Sequence, residues 1–121
     1  MLIEDDQPGG STVLKIGGSV KIGETVREFE QSLERAANER TGAVILDLTN
    51  LDYMDSTVVG VLVGALHRLK GEGRELVLVH PRERIASLLR TAKLDSLFEI
   101  YDTVAEALGT IANKEADTDV R

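Results

Sequence analysis

Two apolar runs constrain this chain more than any other feature: Ala43-Val44-Ile45-Leu46-Asp47-Leu48 and Glu75-Leu76-Val77-Leu78-Val79-His80, each preceded by a segment of helical period. A strand with no polar face must be covered on both sides, as in a parallel sheet flanked by helices. Parallel neighbours need a crossover, and the periodic segments supply it. Val26, Phe29, Leu33 and Ala36 recur at three- and four-residue spacing after Glu24, predicting a helix that ends near Thr41-Gly42. Val59, Leu62, Val63, Leu66 and Leu69 predict a second helix, opened by Asp55-Ser56 and closed by Gly71-Glu72-Gly73. A third is expected from Arg82 to Ala92, burying Ile85, Leu88 and Leu89. After a short strand at Phe98–Tyr101, Asp102 or Thr103 caps a closing helix that carries Val104, Ala107, Leu108 and Ile111.

The beginning departs from this alternation. Val13, Leu14 and Ile16 form a strand between the pairs Gly9-Gly10 and Gly17-Gly18, with Leu2–Glu4 as a weaker strand beside it. Thr49-Asn50-Leu51-Asp52 reads as a turn. The expected fold is therefore a single α/β domain with a mixed, mostly parallel sheet and about four helices. Residues 1–11 form an N-terminal edge segment of that domain, residues 12–112 its body, and residues 113–121 a polar, flexible C-terminal tail.

Charge and residue types exclude several functions. With 14 Lys+Arg against 21 Asp+Glu, the 121-residue chain carries a net charge of −7, which opposes binding to nucleic acid or to an anionic membrane. Aromatics at 3% offer no base-stacking platform, and the absence of cysteine removes disulfides, thiolate metal sites and a thiol nucleophile. No apolar stretch approaches the ~20 residues of a membrane span, and the acidic Met1–Asp6 start is not that of a signal peptide, so a cytoplasmic location is expected. His67 and His80 stand in different elements without metal-ligand spacing. No phosphate loop, dinucleotide fingerprint or nucleophile elbow occurs. The expectation is a protein that is not an enzyme and needs no metal or cofactor.

Asp47, at the end of a central strand, is where an α/β sheet commonly places functional groups. A phosphoacceptor domain of the two-component receiver type has an aspartate there. It also needs an acidic pair after the first strand, where this chain has Gly17-Gly18-Ser19, and a lysine after the last, where it has Asp102-Thr103. Asp47 is accordingly expected to hold loop amides. The segment Tyr53-Met54-Asp55-Ser56-Thr57-Val58-Val59-Gly60 is more informative. Ser56 at a helix start is read as an N-cap worth about 1 kcal/mol. The same place suits a phosphate, because free amides and the helix dipole favour added negative charge.

Val44-Ile45-Leu46-Asp47-Leu48, Leu51-Asp52-Tyr53-Met54-Asp55-Ser56, Gly60-Val61-Leu62, Gly73-Arg74-Glu75-Leu76-Val77-Leu78-Val79 and Leu94–Asp102 together resemble the STAS family of anti-sigma-factor antagonists. The resemblance covers roughly residues 12–109. It implies a partner-switching regulator, with Ser56 as phosphorylation site, Thr57 as competing acceptor and Asp55 as acidic neighbour. It implies as partners an anti-sigma factor that is also a serine kinase and a metal-dependent serine phosphatase; a homodimer is compatible with it. Asp55, Ser56, Thr57, Val58, Lys21, Arg82 and Arg84 are the expected partner-binding residues. Two positions depart from the family pattern: Val58 stands where a glycine is usual, beside the acceptor, and Lys21 where an acid is usual. The rival expectation is a STAS scaffold subunit of a stressosome-like or lipid-transport ABC assembly, without a phosphorylation switch.

Overall fold

The computed structural model of the chain describes residues 2–6 and 8–119. Strand β1 (Leu2–Asp6) runs antiparallel to β2 (Thr12–Val20) at one edge of the sheet, with a 3-10 turn at Pro8–Gly10 between them. Helix α1 (Glu24–Glu39) leads to β3 (Val44–Asp47), which lies parallel to β2, and β4 (Leu51–Met54) follows. Helix α2 (Ser56–Gly71), β5 (Leu76–Val79), α3 (Glu83–Thr91), β6 (Glu99–Tyr101) and α4 (Val104–Asp119) complete the order. The main sheet runs β1-β2-β3-β5-β6, and all its pairs after the first are parallel.

The sheet lies between two helical layers. Leu14, Ile16, Leu46 and Leu78 face α1, α2 and α3, while Val13, Ile45, Val77 and Val79 face α4. Alternate residues of β3 and β5 thus enter different cores, which is why neither strand has a polar face. In α2 the buried stripe is Val58, Leu62, Leu66 and Leu69; Val59 and Val63 are only partly buried, so Val58 leads the stripe one residue earlier than the spacing predicts. The closing helix starts as expected, with Thr103 Oγ1 accepting from the Glu106 N–H at 3.1 Å. It also runs through the segment expected to be a tail, as far as Asp119. Lys114 holds that part against the sheet, its Nζ 2.8 Å from both Glu75 Oε1 and Glu99 Oε1. Val120 and Arg121, which the tail was also expected to include, lie outside the described residues.

The segment expected to be a turn contains β4. It does not extend the main sheet. Its residues pair in parallel with the last part of β2, Gly18↔Leu51 and Val20↔Met54, past a register shift at Gly18/Ser19. The first half of β2 therefore pairs with β3 and the second half with β4. This split positions the candidate site, because the chain leaves β2 after Val20 and leaves β4 after Met54 at adjacent places.

Arg74 joins three elements behind the sheet. Its side chain is 11% exposed, and its guanidinium donates to the Gly42 carbonyl at 2.8 Å, to Ala37 O at 3.0 Å and to Ala36 O at 3.3 Å. It thereby satisfies carbonyls at the C-terminal end of α1 that the helix itself leaves unpaired. Arg74→Ala is expected to cost about 2 kcal/mol, since it leaves those carbonyls without a charged donor. Arg74→Lys should restore less than half, because an ammonium cannot reproduce the planar fork. Thermal melts of the three proteins check this; full restoration by lysine would reduce the role to charge alone.

Candidate functional site

The site is built where β2 and β4 end together. The Asp55 N–H donates to Val20 O at 3.3 Å, joining the two exits. On one side the chain turns through Lys21-Ile22-Gly23 into α1. Gly23 has φ +109°, a backbone that residues with a side chain rarely adopt. Thr25 closes this loop: its Oγ1 accepts from the Lys21 N–H at 2.8 Å and donates to Lys21 O at 2.9 Å. On the other side the chain enters α2.

Asp55 connects the two. Its Oδ1 accepts from the N–H of Thr57 at 3.0 Å and of Val58 at 3.4 Å, so Asp55 is the N-cap of α2. Its Oδ2 accepts from the Ile22 N–H at 2.8 Å, across 33 residues of sequence. One carboxylate thus clips the β2–α1 loop to the start of α2. The Ile22 amide, followed by those of Val58 and Thr57, holds the Asp55 carboxyl below its ordinary range. A depressed carboxylate contributes stability above its unfolded pKa, roughly 4, and loses it as pH falls through the folded value. Asp55→Ala is expected to lower Tm by about 5 °C at neutral pH. The Tm advantage of the native chain over Asp55→Asn should shrink as pH drops below about 4. Melts at a series of pH values check this, and a pH-independent gap would show that the charge plays no part.

The capping expectation for Ser56 is therefore corrected. Ser56 is the first helical residue, not the cap. It is exposed, and its hydroxyl takes no hydrogen bond among the described residues. Thr57 beside it is also exposed. Val58 is not on this surface: it is 1% exposed and packs in the core under α2, so its branched side chain points away from the acceptor. The expectation that Val58 contacts a partner fails for the same reason.

The other expected residues divide. Lys21 is exposed, with its Nζ 5.7 Å from the centre of the Tyr53 ring. Arg84 is exposed and lines an open groove of about 480 Å³ together with Tyr53, Asp55, Ser56 and Ser87. Arg82 is half exposed but engaged, donating from Nε to Thr49 O at 2.8 Å and pairing with Asp52. It braces the turn into β4 more than it faces outward. Ile22, not picked out from the sequence, is the most exposed large apolar side chain described, at 76%. Its position in a Lys-Ile-Gly turn, where a polar residue is usual, was the available signal.

Elsewhere the chemistry is quiet. Asp47 Oδ1 accepts from the Thr49 N–H at 3.1 Å and the Thr49 hydroxyl at 2.6 Å, as a strand-end aspartate holding its loop. Among the described residues no cluster of His, Asp or Glu is placed to hold a metal ion. No helix described is long and apolar enough to cross a membrane.

A small α/β domain with a split second strand and an exposed serine opening its second helix defines a class, and the comparisons agree on it. The STAS domain family model matches residues 3–107, and the chain belongs to that family. The anti-sigma-B factor antagonist of Staphylococcus aureus is 32% identical over 89 residues, which are 74% of this chain and 82% of that protein. The fold matches the anti-sigma factor antagonist SpoIIAA in its unphosphorylated form with a TM-score of 0.79 at 16% identity, over 93% of this chain and 97% of that one. It matches the phosphorylated form of the Bacillus cell fate determinant SpoIIAA with a TM-score of 0.73 at 17% identity, over 91% and 99%.

Proposed function

We propose that this chain is an anti-sigma-factor antagonist that works by partner switching. Unphosphorylated, it binds an anti-sigma factor that is also a serine kinase; phosphorylated on Ser56, it lets go; a metal-dependent serine phosphatase resets it. It acts in the cytoplasm and catalyses no reaction itself. The observation that carries this reading is the exposed Ser56 hydroxyl, without a hydrogen bond among the described residues, at the start of a 16-residue helix capped by its neighbour Asp55. A kinase can reach that oxygen without unfolding anything, and the helix does not depend on it. The kinship with the Staphylococcus aureus antagonist supplies the biological context.

The physics suits a switch. A phosphoryl group adds about −1.5 to −2 charges at neutral pH. At the first position of α2 the helix dipole offsets part of that charge, so the fold tolerates it. On the surface nothing hides it. The partner therefore meets a changed face on an unchanged scaffold. Because Val58 lies inside, its replacement of the family's glycine leaves the approach to Ser56 open.

Incubation with the anti-sigma factor kinase of the same genome and ATP, followed by mass spectrometry, tests the assignment. One phosphate on Ser56, absent from Ser56→Ala, is expected. Phosphate on Thr57 in the native chain would move the switch by one residue. No phosphate on either, with tight binding to a scaffold or transport assembly, would replace this reading by its rival.

A further inference from the structure

We propose that the patch formed by Lys21, Ile22, Tyr53 and Arg84 is the docking surface beside the switch, and that it fits a partner face carrying carboxylates around an apolar pocket. This rests on the partner-switching reading for the existence of a partner and adds the partner's chemistry.

The four residues belong to one surface through shared neighbours. The Ile22 N–H is bonded to Asp55, Lys21 lies over the Tyr53 ring, and Tyr53 and Asp55 line the same groove as Arg84 and Ser56. Ile22 is 76% exposed and Tyr53 39%, which together give an apolar centre large enough to anchor a contact. The clip from Asp55 and the turn closed by Thr25 hold Ile22 out on a defined backbone, so little ordering is needed on binding.

The charges point to the partner's sign. The chain as a whole is acidic, at −7. Here, however, Lys21 and Arg84 make no ion pair among the described residues, whereas Arg82 is taken by Asp52 and Arg90 by Glu83. The carboxylate within the patch, Asp55, keeps its single negative charge while accepting from three backbone amides, and stands against the two positive charges of Lys21 and Arg84. The unmodified patch is thus locally positive, and an acidic face complements it. A phosphate on Ser56 outweighs that surplus and makes the patch negative. The same partner face is then repelled. Reversal of the patch's sign is the release step.

The test measures binding kinetics with the immobilised anti-sigma factor kinase of the same genome, without ATP, at about 50 mM and about 300 mM salt. The native chain should associate roughly tenfold more slowly at the higher salt. Lys21→Glu/Arg84→Glu should associate at least ~10-fold more slowly at low salt and lose the salt dependence. Ile22→Ser should associate normally and dissociate ~30-fold faster. Circular dichroism melts verify that both variants fold. Unchanged or faster association of the charge-reversed variant would overturn the acidic partner face, and unchanged dissociation of Ile22→Ser would overturn the apolar pocket. Failure of the native chain to bind, or to be released by Ser56 phosphorylation, would instead defeat the switching reading, so the two failures are told apart.

Discussion

Phosphorylation of Ser56 is expected to weaken binding of the anti-sigma factor about a hundredfold, or roughly 3 kcal/mol. The size follows from where the charge is put. A doubly charged group on an exposed first-turn position enters the interface without a partner waiting for it, and like charge across an interface costs several kcal/mol. Ser56→Asp should reproduce only part of the loss, because it brings a single charge on a shorter stem. Ser56→Ala should keep full affinity. It should also keep full stability, since Asp55 and not Ser56 caps α2. Titration calorimetry with the purified anti-sigma factor checks all three. A Ser56→Ala protein that lost about 1 kcal/mol of stability would restore the serine cap and contradict the geometry.

The second large effect is structural and lies at the opposite end of the molecule. Gly42 precedes β3 with φ +83°, and a Cβ added there would overlap the Gly10 carbonyl oxygen and come within 3.2 Å of the Gly10 carbonyl carbon. Both the left-handed backbone and the close approach exclude a side chain. Nearby, the Thr12 N–H donates to Ala43 O at 2.9 Å, so a shift here would be passed into the β2–β3 ladder. Gly42→Ala is expected to cost on the order of 3 kcal/mol, about 10–15 °C in Tm. Gly64→Ala is the contrasting case. In the middle of α2 an added Cβ meets nothing within 4 Å, so this change should stabilise the protein by about 0.5–1 kcal/mol. Melts of both variants decide it; similar small shifts in both would remove the close-approach account.

The parts of this fold that could be read in the sequence are those where one physical demand dominates. Val44–Leu46 and Leu76–Val79 had to be buried strands, and the stripe Val26, Phe29, Leu33, Ala36 had to be one helix face. Strand β4 escaped because Leu51-Asp52-Tyr53-Met54 has no run and no alternation; Leu51 and Met54 are buried, Asp52 and Tyr53 exposed. Only its pairing with the far end of β2 makes it a strand, and that pairing depends on a register shift no local pattern announces. The candidate site divides in the same way. Asp55-Ser56 at a helix start was visible, but both residues favour the cap position, and the choice between them rests on backbone geometry. Ile22 gained its place through a bond to a residue 33 positions away. Arg82, attractive as an exposed cation, is consumed by Asp52, a partner that only the tertiary fold brings near.

The central claim is that the unmodified Ser56 surface captures the anti-sigma factor and that phosphate on Ser56 ends the capture. A competition measurement addresses it most directly. A preformed complex of the anti-sigma factor with its fluorescently labelled sigma factor is titrated with this chain, either unmodified or carrying phosphate on Ser56. The account predicts that the unmodified chain frees the sigma factor and that the phosphorylated chain needs about a hundredfold higher concentration to do so. Equal release by both forms, or none by either, would contradict it.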